Sequence, residues 1–132
     1  MSDDLAFRSD CPISSTLDLL GDKWTLLILR DMLFGAERFS DFLARPEGLK
    51  RNILTDRLRR LELAGLIWRE MYQAHPPRHA YRLTRRGAET LPVIQALADW
   101  GARHLPHTYA PPSVLMGWTP ADHVTEPKSG KV

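Results

Sequence analysis

Apolar residues recur along the first half of the chain at the three-to-four spacing of helices, with Gly and Pro as punctuation. Pro12 suits a first helical position, so PISSTLDLLG predicts a short helix from about 12 to 20, closed by Gly21. Lys23 to Phe34 is apolar on nearly every side, which predicts a buried central helix stopped by Gly35. Ser40 is a good N-cap for a short helix of roughly 40 to 45, ended by Pro46 and Gly48. The next segment, LKRNILTDRLRRLELAG, sets Leu54, Leu58 and Leu61 at i, i+4 and i+7. They form the core side of a helix over about 50 to 64, ended by Gly65.

From Ile67 the period changes. IWREMY and HAYRLT favour strands and QAHPPR between them reads as a loop, so 67 to 83 is a predicted hairpin. Thr84 then caps one long predicted helix, about 85 to 104, with Leu91, Ile94, Leu97, Ala98, Gly101 and Leu105 on one face. Val93 and Trp100 make that face wider than one packing partner would cover. In a chain of 132 residues, whose own core is modest, such a face predicts a homodimer built from this helix and the first one, with Leu17 contributing. After Leu105 the chain is Pro-rich and aperiodic. An irregular tail is expected there, with Val114, Leu115, Met116 and Trp118 able to dock. The organisation is thus an N-terminal arm (1–10), one domain with its dimerisation helices (11–105) and a tail (106–132).

Net charge is only +2, but it is unevenly placed. Residues 1–49 carry net −4, residues 50–86 carry ten basic and three acidic side chains for net +7, and residues 87–132 carry net −1. A concentrated positive block is the electrostatic footprint expected for a polyanion, or else a solvated basic face. MSDDLAFRSD has no basic start followed by an apolar run, so no signal peptide is expected. WTLLILRDMLF is interrupted by Arg30 and Asp31 and is too short for a membrane span. A cytoplasmic protein is the resulting expectation. The single cysteine, Cys11, excludes an internal disulfide and a zinc site of several thiolates; the His75 and His79 spacing in a loop has no ligand meaning, and neither metal nor cofactor is expected.

Helix, short helix, turn, basic helix and basic hairpin follow one another in the order of a winged helix-turn-helix. A helix fits the major groove of double-stranded DNA, and the hairpin can reach phosphates or the adjacent minor groove. Opposite the Leu54, Leu58 and Leu61 stripe lie Asn52, Asp56, Arg59 and Arg60, flanked by Thr55 and Arg51, with Lys50 at the helix start and Ser40 on the preceding helix. Asn pairs bidentately with adenine and Arg with guanine, while Asp56 either accepts from cytosine or orients Arg60 one turn on. His75, Arg78 and His79 stand around two prolines that stiffen the hairpin loop, which lowers the entropy lost on docking to phosphates. Cys11 precedes Pro12 at the start of the first helix, where unpaired amides and the helix dipole favour a thiolate; the alternative is a small buried packing residue.

Three segments together, CPISSTLDLLGDKWTLLILRDMLFGAERFSDF, GLKRNILTDRLRRLELAGLI and PPRHAYRLTRRGAETLPVIQALADWGARHL, resemble the HxlR-type regulators, relatives of the MarR type. Lys23-Trp24 and Arg57-Leu58 with Leu61 and Gly65 are the specific marks. The resemblance implies a mainly α fold with a small β-hairpin wing and a homodimer that binds a pseudo-palindromic operator, more often as a repressor. It implies Trp24 in the core, and oxidant or electrophile sensing through Cys11, with a small-molecule or oxidant effector as partner. Lys50 departs from the family's usual small residue at the start of the recognition helix, and Pro46 replaces a position often apolar. An enzyme would need a nucleophile with a base, and no motif sets a His against Cys11, all five His lying from 75 onward. A winged helix for protein or RNA contacts is the other alternative, against which the polar Asn, Asp and Arg face argues.

Overall fold

Helix starts and stops are decided by which backbone groups find a partner, and the chain follows its punctuation closely. The computed structural model describes residues 6–125 and 127. The first five residues of the expected arm, and 126 and 128–132 of the expected tail, lie outside the described residues. The helices are α1 (Pro12–Leu20), α2 (Thr25–Leu33), α3 (Phe39–Leu43), α4 (Arg51–Leu63), α5 (Arg85–Ala88), α6 (Leu91–His104) and α7 (Ser113–Gly117), with a 3-10 turn at Pro120–His123. Strands β1 (Ile67–Gln73) and β2 (Arg78–Leu83) form one antiparallel hairpin.

The core gathers Ile28 and Leu29 of α2, Phe42 of α3, the Leu54, Leu58 and Leu61 stripe, Ile67 and Leu83 at the hairpin base, and Leu91 and Ile94 of α6. Trp24 packs against it, half-buried. The end of α4 is closed by Gly65 at φ 79°, a left-handed conformation that a side chain would strain. Its amide donates to the Glu62 carbonyl and the Leu66 amide to that of Leu61, both at 3.0 Å, which satisfies the last turn and turns Leu66 inward. The register pairs Ile67 with Leu83 and Met71 with His79. Only Ile67 of β1 is buried, so the hairpin is anchored at its base and stands in solvent at its tip. The Tyr81 amide donates to the Glu37 carbonyl at 2.8 Å, tying β2 to the segment before α3.

Several expectations are corrected. Ser40 does not cap α3, which starts one residue earlier. Asp41 takes the capping role by accepting the Glu37 and Arg38 amides at 2.9 and 3.0 Å, and Ser40 sits exposed inside the helix. The long helix after Thr84 is two helices. The Thr84 side chain accepts the Gly87 amide at 3.1 Å and starts α5, but Pro92 has no amide with which to continue the ladder, and α6 restarts there. Arg78, expected in the loop, opens β2, and His79 follows it in that strand as expected. The tail is irregular only up to Pro112, and it docks through two of the four residues expected to be able to do so: Leu115 is buried, the Gln95 Nε2 donates to the Leu115 and Trp118 carbonyls at 2.9 and 3.0 Å, and Trp118 packs on Phe34 with ring centroids 4.8 Å apart, while Val114 and Met116 are exposed. Further on, the Thr125 amide donates to the Leu83 carbonyl at 2.9 Å, and its own carbonyl accepts the Trp68 indole at 2.6 Å. The tail therefore runs from α6 past the end of α2 to the wing base.

Candidate nucleic-acid interface

With Leu54, Leu58 and Leu61 turned into the core, the helical period forces the other side of α4 outward. Lys50, Arg51, Asn52, Thr55 and Arg59 are exposed, and Asp56 and Arg60 are half-buried at the edge. The helix opens at Lys50 in an extended conformation with no side-chain cap, as the departure from a small capping residue implied. Its first amides therefore point outward beside two cations, an arrangement that suits a phosphate. The Thr55 hydroxyl donates back to the Arg51 carbonyl at 3.0 Å. Arg51 lies over the Phe39 ring at 5.2 Å, which holds it near the α3 to α4 turn.

The placement of Asp56 differs from the expected link to Arg60. It pairs with Arg57 at 2.6 Å and with Arg59 at 3.5 Å, because Arg57 leans back across the helix start of α2. Arg57 Nε donates to Asp22 Oδ2 at 2.8 Å, and this guanidinium is largely buried. Asp22 in turn accepts the Trp24 and Thr25 amides at 3.1 and 3.2 Å and the Thr25 hydroxyl. Burial opposes ionisation of Asp22, yet the Thr25 hydroxyl, the Arg57 guanidinium and the Trp24 amide outweigh it and hold the carboxyl at about 2. Arg57 is raised correspondingly, chiefly by its hydrogen bond to Asp22. This pair locks α4 onto the start of α2, so one of the four basic residues of the helix is a positioning element of the fold.

On the wing, His75 and Arg78 are exposed and His79 is half-buried opposite Met71. Gln73 Nε2 donates to the Pro76 carbonyl at 3.1 Å and closes the turn. Arg82 bridges Glu37 and Glu70, each at 3.2 Å, and Arg69 approaches Glu62 at 3.4 Å, so the first ties the wing to the segment before α3 and the second ties it to α4. Sequence reasoning passed over Arg38, whose guanidinium stacks on Tyr72 at 4.2 Å and joins the start of α3 to β1. An exposed Arg just before a short helix in this order was the available signal.

Cys11 sits at the N-cap of α1 with its thiol exposed, so it is no packing residue within its own chain. Its amide donates to Ser9 Oγ at 3.2 Å, and its carbonyl accepts the Ser15 amide at 2.9 Å. On α6, Leu91 and Ile94 are buried in the chain's own core and Ala98 packs against it, which corrects their assignment to an intermolecular face. The exposed apolar residues are Val93, Leu97, Trp100 and Leu105, with Ile13 and Leu17 on α1; Gly101 is half-buried. Among the described residues no cluster of three or more His, Cys, Asp or Glu could hold a metal, and no helix is long and apolar enough to cross a membrane.

Comparison with known proteins places this geometry. The family described as HxlR-like helix-turn-helix matches residues 19–109. An HTH-type transcriptional regulator of Mycobacterium tuberculosis is 42% identical over 111 residues, covering 84% of this chain and 70% of that one. The redox regulator HypR, solved in its oxidized form, superposes with a TM-score of 0.65 at 34% identity over 71% of this chain and 97% of its own. Diamide-treated YodB from Bacillus subtilis superposes at 0.57 with 27% identity over 71% of this chain and 94% of its own.

Proposed function

Because the chain belongs to the HxlR-like helix-turn-helix family of transcriptional regulators, we propose that it binds a pseudo-palindromic operator as a cytoplasmic homodimer and represses the genes beside it. The observation that carries this is the outward face of α4: Asn52, Thr55 and Arg59 exposed together, on a helix fixed by a buried leucine stripe and the Arg57 to Asp22 pair. Asn52 and Arg59 read base edges, Asp56 orients Arg59, Lys50, Arg51 and the His75, Arg78 and His79 wing contact phosphates, and Ser40 flanks the groove. The exposed apolar residues of α6 and α1 join the two copies, which sets the recognition helices about 34–36 Å apart. Catalysis forms no part of this function.

Gel shifts with DNA upstream of the gene and with random DNA test it. Asn52→Ala and Arg59→Ala each lower operator affinity by about 1–3 kcal/mol while leaving random DNA nearly unaffected. Equal losses on both DNAs would refute base readout by these residues.

Redox control through Cys11 is the second part of the proposal, supported by its exposure and by the similarity to HypR and YodB. With one thiol per chain, oxidation yields a sulfenic acid, a mixed disulfide or a Cys11 to Cys11 bridge across the dimer, and electrophiles alkylate it. Diamide is expected to change operator affinity in the native protein and not in Cys11→Ser. A response that persists in Cys11→Ser would sink the idea.

A further inference from the structure

Away from the outward face of α4 lies a cleft of about 700 Å³ between α2, the turn before α4, α6 and the tail. That size suits a small organic molecule. Its walls are apolar, with Leu26 and Phe34 on one side and Ile94 and Ala98 on the floor, and Gly101 leaves room where other residues would fill it. The far wall, Pro111, Pro112 and Leu115, lies beyond the family match, so this chain's own tail makes the site. That wall is fixed by the Gln95 bond to Leu115 and by the Thr108 hydroxyl on the Leu105 carbonyl at 2.7 Å.

One end of the cleft is charged in an uneven way. Arg30 is engaged through all three nitrogens: its two Nη groups hold both Glu47 oxygens at 3.0 Å, and its Nε holds Asp31 at 2.9 Å. Arg45 is not. Its Nε lies 3.2 Å from Asp31 Oδ1, it is partly exposed, and its Nη groups donate no hydrogen bond among the described residues. A guanidinium edge with open donors at the end of an apolar slot matches a carboxylate geometrically and electrostatically. Asp31 beneath it is buried and engages only the Nε edge of Arg45, which leaves the Nη edge facing the cleft end. Of the exposed apolar residues of α6, Leu97 lines the cleft, while Val93 and Trp100 are not part of the lining and stay available for a partner helix.

We propose that this cleft is an effector site for a small molecule with a flat apolar body and a single carboxylate, held by Arg45 over the Ile94, Ala98 and Gly101 floor. Its occupant bridges α6 and the turn leading into α4, so binding shifts the recognition helix relative to the dimer helix; this regulatory half rests on the operator-binding function proposed above.

Calorimetric titration of the full chain with 2-naphthoate and with neutral 2-naphthamide tests the site directly. Naphthoate is expected to saturate at one per chain and to bind roughly ten-fold or more tighter than the amide. Arg45→Gln should bring the two to parity. Gly101→Leu should abolish both, since a Cβ there meets only Leu105 Cδ1 at 3.9 Å and the added side chain enters the cleft; circular dichroism confirms that the variant folds. No saturable naphthoate binding, equal affinity for acid and amide in the native chain, or binding retained in folded Gly101→Leu each overturns the site. So does a dimer-to-monomer change in sedimentation of Gly101→Leu, which would assign the cleft to a second copy. In gel shifts saturating naphthoate should move the operator midpoint several-fold, and an unmoved midpoint overturns the effector role. Failure of the ligand-free protein to shift the operator sinks the operator proposal instead, leaving calorimetry to decide the site.

Discussion

Replacing Asp22 by Asn removes one negative charge and leaves an acceptor for the α2 amides, so it isolates what the Arg57 pair contributes. The native carboxyl sits at about 2 against 3.8 for an unperturbed Asp. That difference corresponds to about 2 kcal/mol of folding stability from this group at neutral pH. Both side chains are mostly buried, 26% exposed for Asp22 and 18% for Arg57, so solvent screens the pair little. Because the folded-state pKa is depressed, the contribution is complete above pH 3.8 and is lost as pH falls through about 2. Urea unfolding of native and Asp22→Asn protein at one protomer concentration is the assay, since dimerisation would make stability concentration-dependent. The expected gap is about 2 kcal/mol at pH 7, roughly half that at pH 3, and closing further toward pH 2. In the Asp22→Asn/Arg57→Met double variant the two losses should fall short of additive by about 1 kcal/mol. A gap that stays constant from pH 7 to pH 3, or fully additive losses, would refute the assignment of Arg57 as the lock between α4 and α2.

The same placement separates cations by role: Arg51→Gln should make the slope of log affinity against log salt shallower by about 1 per protomer, whereas Arg57→Gln should leave the slope unchanged while lowering stability. Two glycines should differ sharply in thermal melts. Gly65→Ala, with nothing nearer its Cβ than Arg86 Cδ at 4.0 Å, carries only the left-handed backbone cost of about 1 kcal/mol, while Gly87→Ala would drive a Cβ into the Leu66 carbonyl oxygen and should cost several times more. Leu115→Ala, by emptying the one buried position of α7, should destabilise by about 2–3 kcal/mol and raise amide exchange at Thr125, where the tail meets the wing; no loss would mean that the tail is not docked in solution.

What the sequence showed and what it hid divide along a physical line. Periodicity and punctuation report local backbone preference, so α1, α4 and the hairpin were legible within a residue or two, Gly65 and Gly21 standing where the helices end. Ser40 misled because capping depends on which acceptor reaches the amides. Asp41, inside the helix, reaches back to two of them, and a propensity rule that looks only at the preceding residue misses it. The single helix expected after Thr84 failed at Pro92, a breaker visible in the sequence but outweighed by the apolar stripe around it. That stripe also showed the limit of pattern reading: Leu91, Ile94 and Leu97 share a period, yet the first two face the chain's own core and the third faces solvent. Periodicity gives a face, and only packing says how many partners cover it. The tail was least legible. Five prolines hid a segment whose attachment depends on Gln95, Trp68 and Leu83, residues distant in sequence and neutral in pattern.

Charge counting has a comparable limit, and it bears on how the protein meets DNA. The +7 of residues 50–86 treats every cation as equally available. In the folded chain Arg57 faces Asp22, Arg69 faces Glu62 and Arg82 spans Glu37 and Glu70, with Asp22 and Glu37 coming from the acidic N-terminal third. The negative first third and the positive middle are thus partly one structural system, joined by ion pairs at α4 and at the wing. The cations left outermost, Lys50 and Arg51 at the start of α4 and Arg78 at the wing, lie where a groove-bound helix and hairpin would meet the phosphates on either side. A regulator that fixes its reading head with internal ion pairs gains a defined pose before it meets DNA, so less orientational freedom is lost on binding. Because Asp56 contacts both Arg57 and Arg59, the lock and the reading face share one carboxylate. On the proposed function, disturbing Asp22 would reach Arg59 of the reading face through three ion pairs, Asp22 to Arg57, Arg57 to Asp56 and Asp56 to Arg59, with no contact of its own to the nucleic acid.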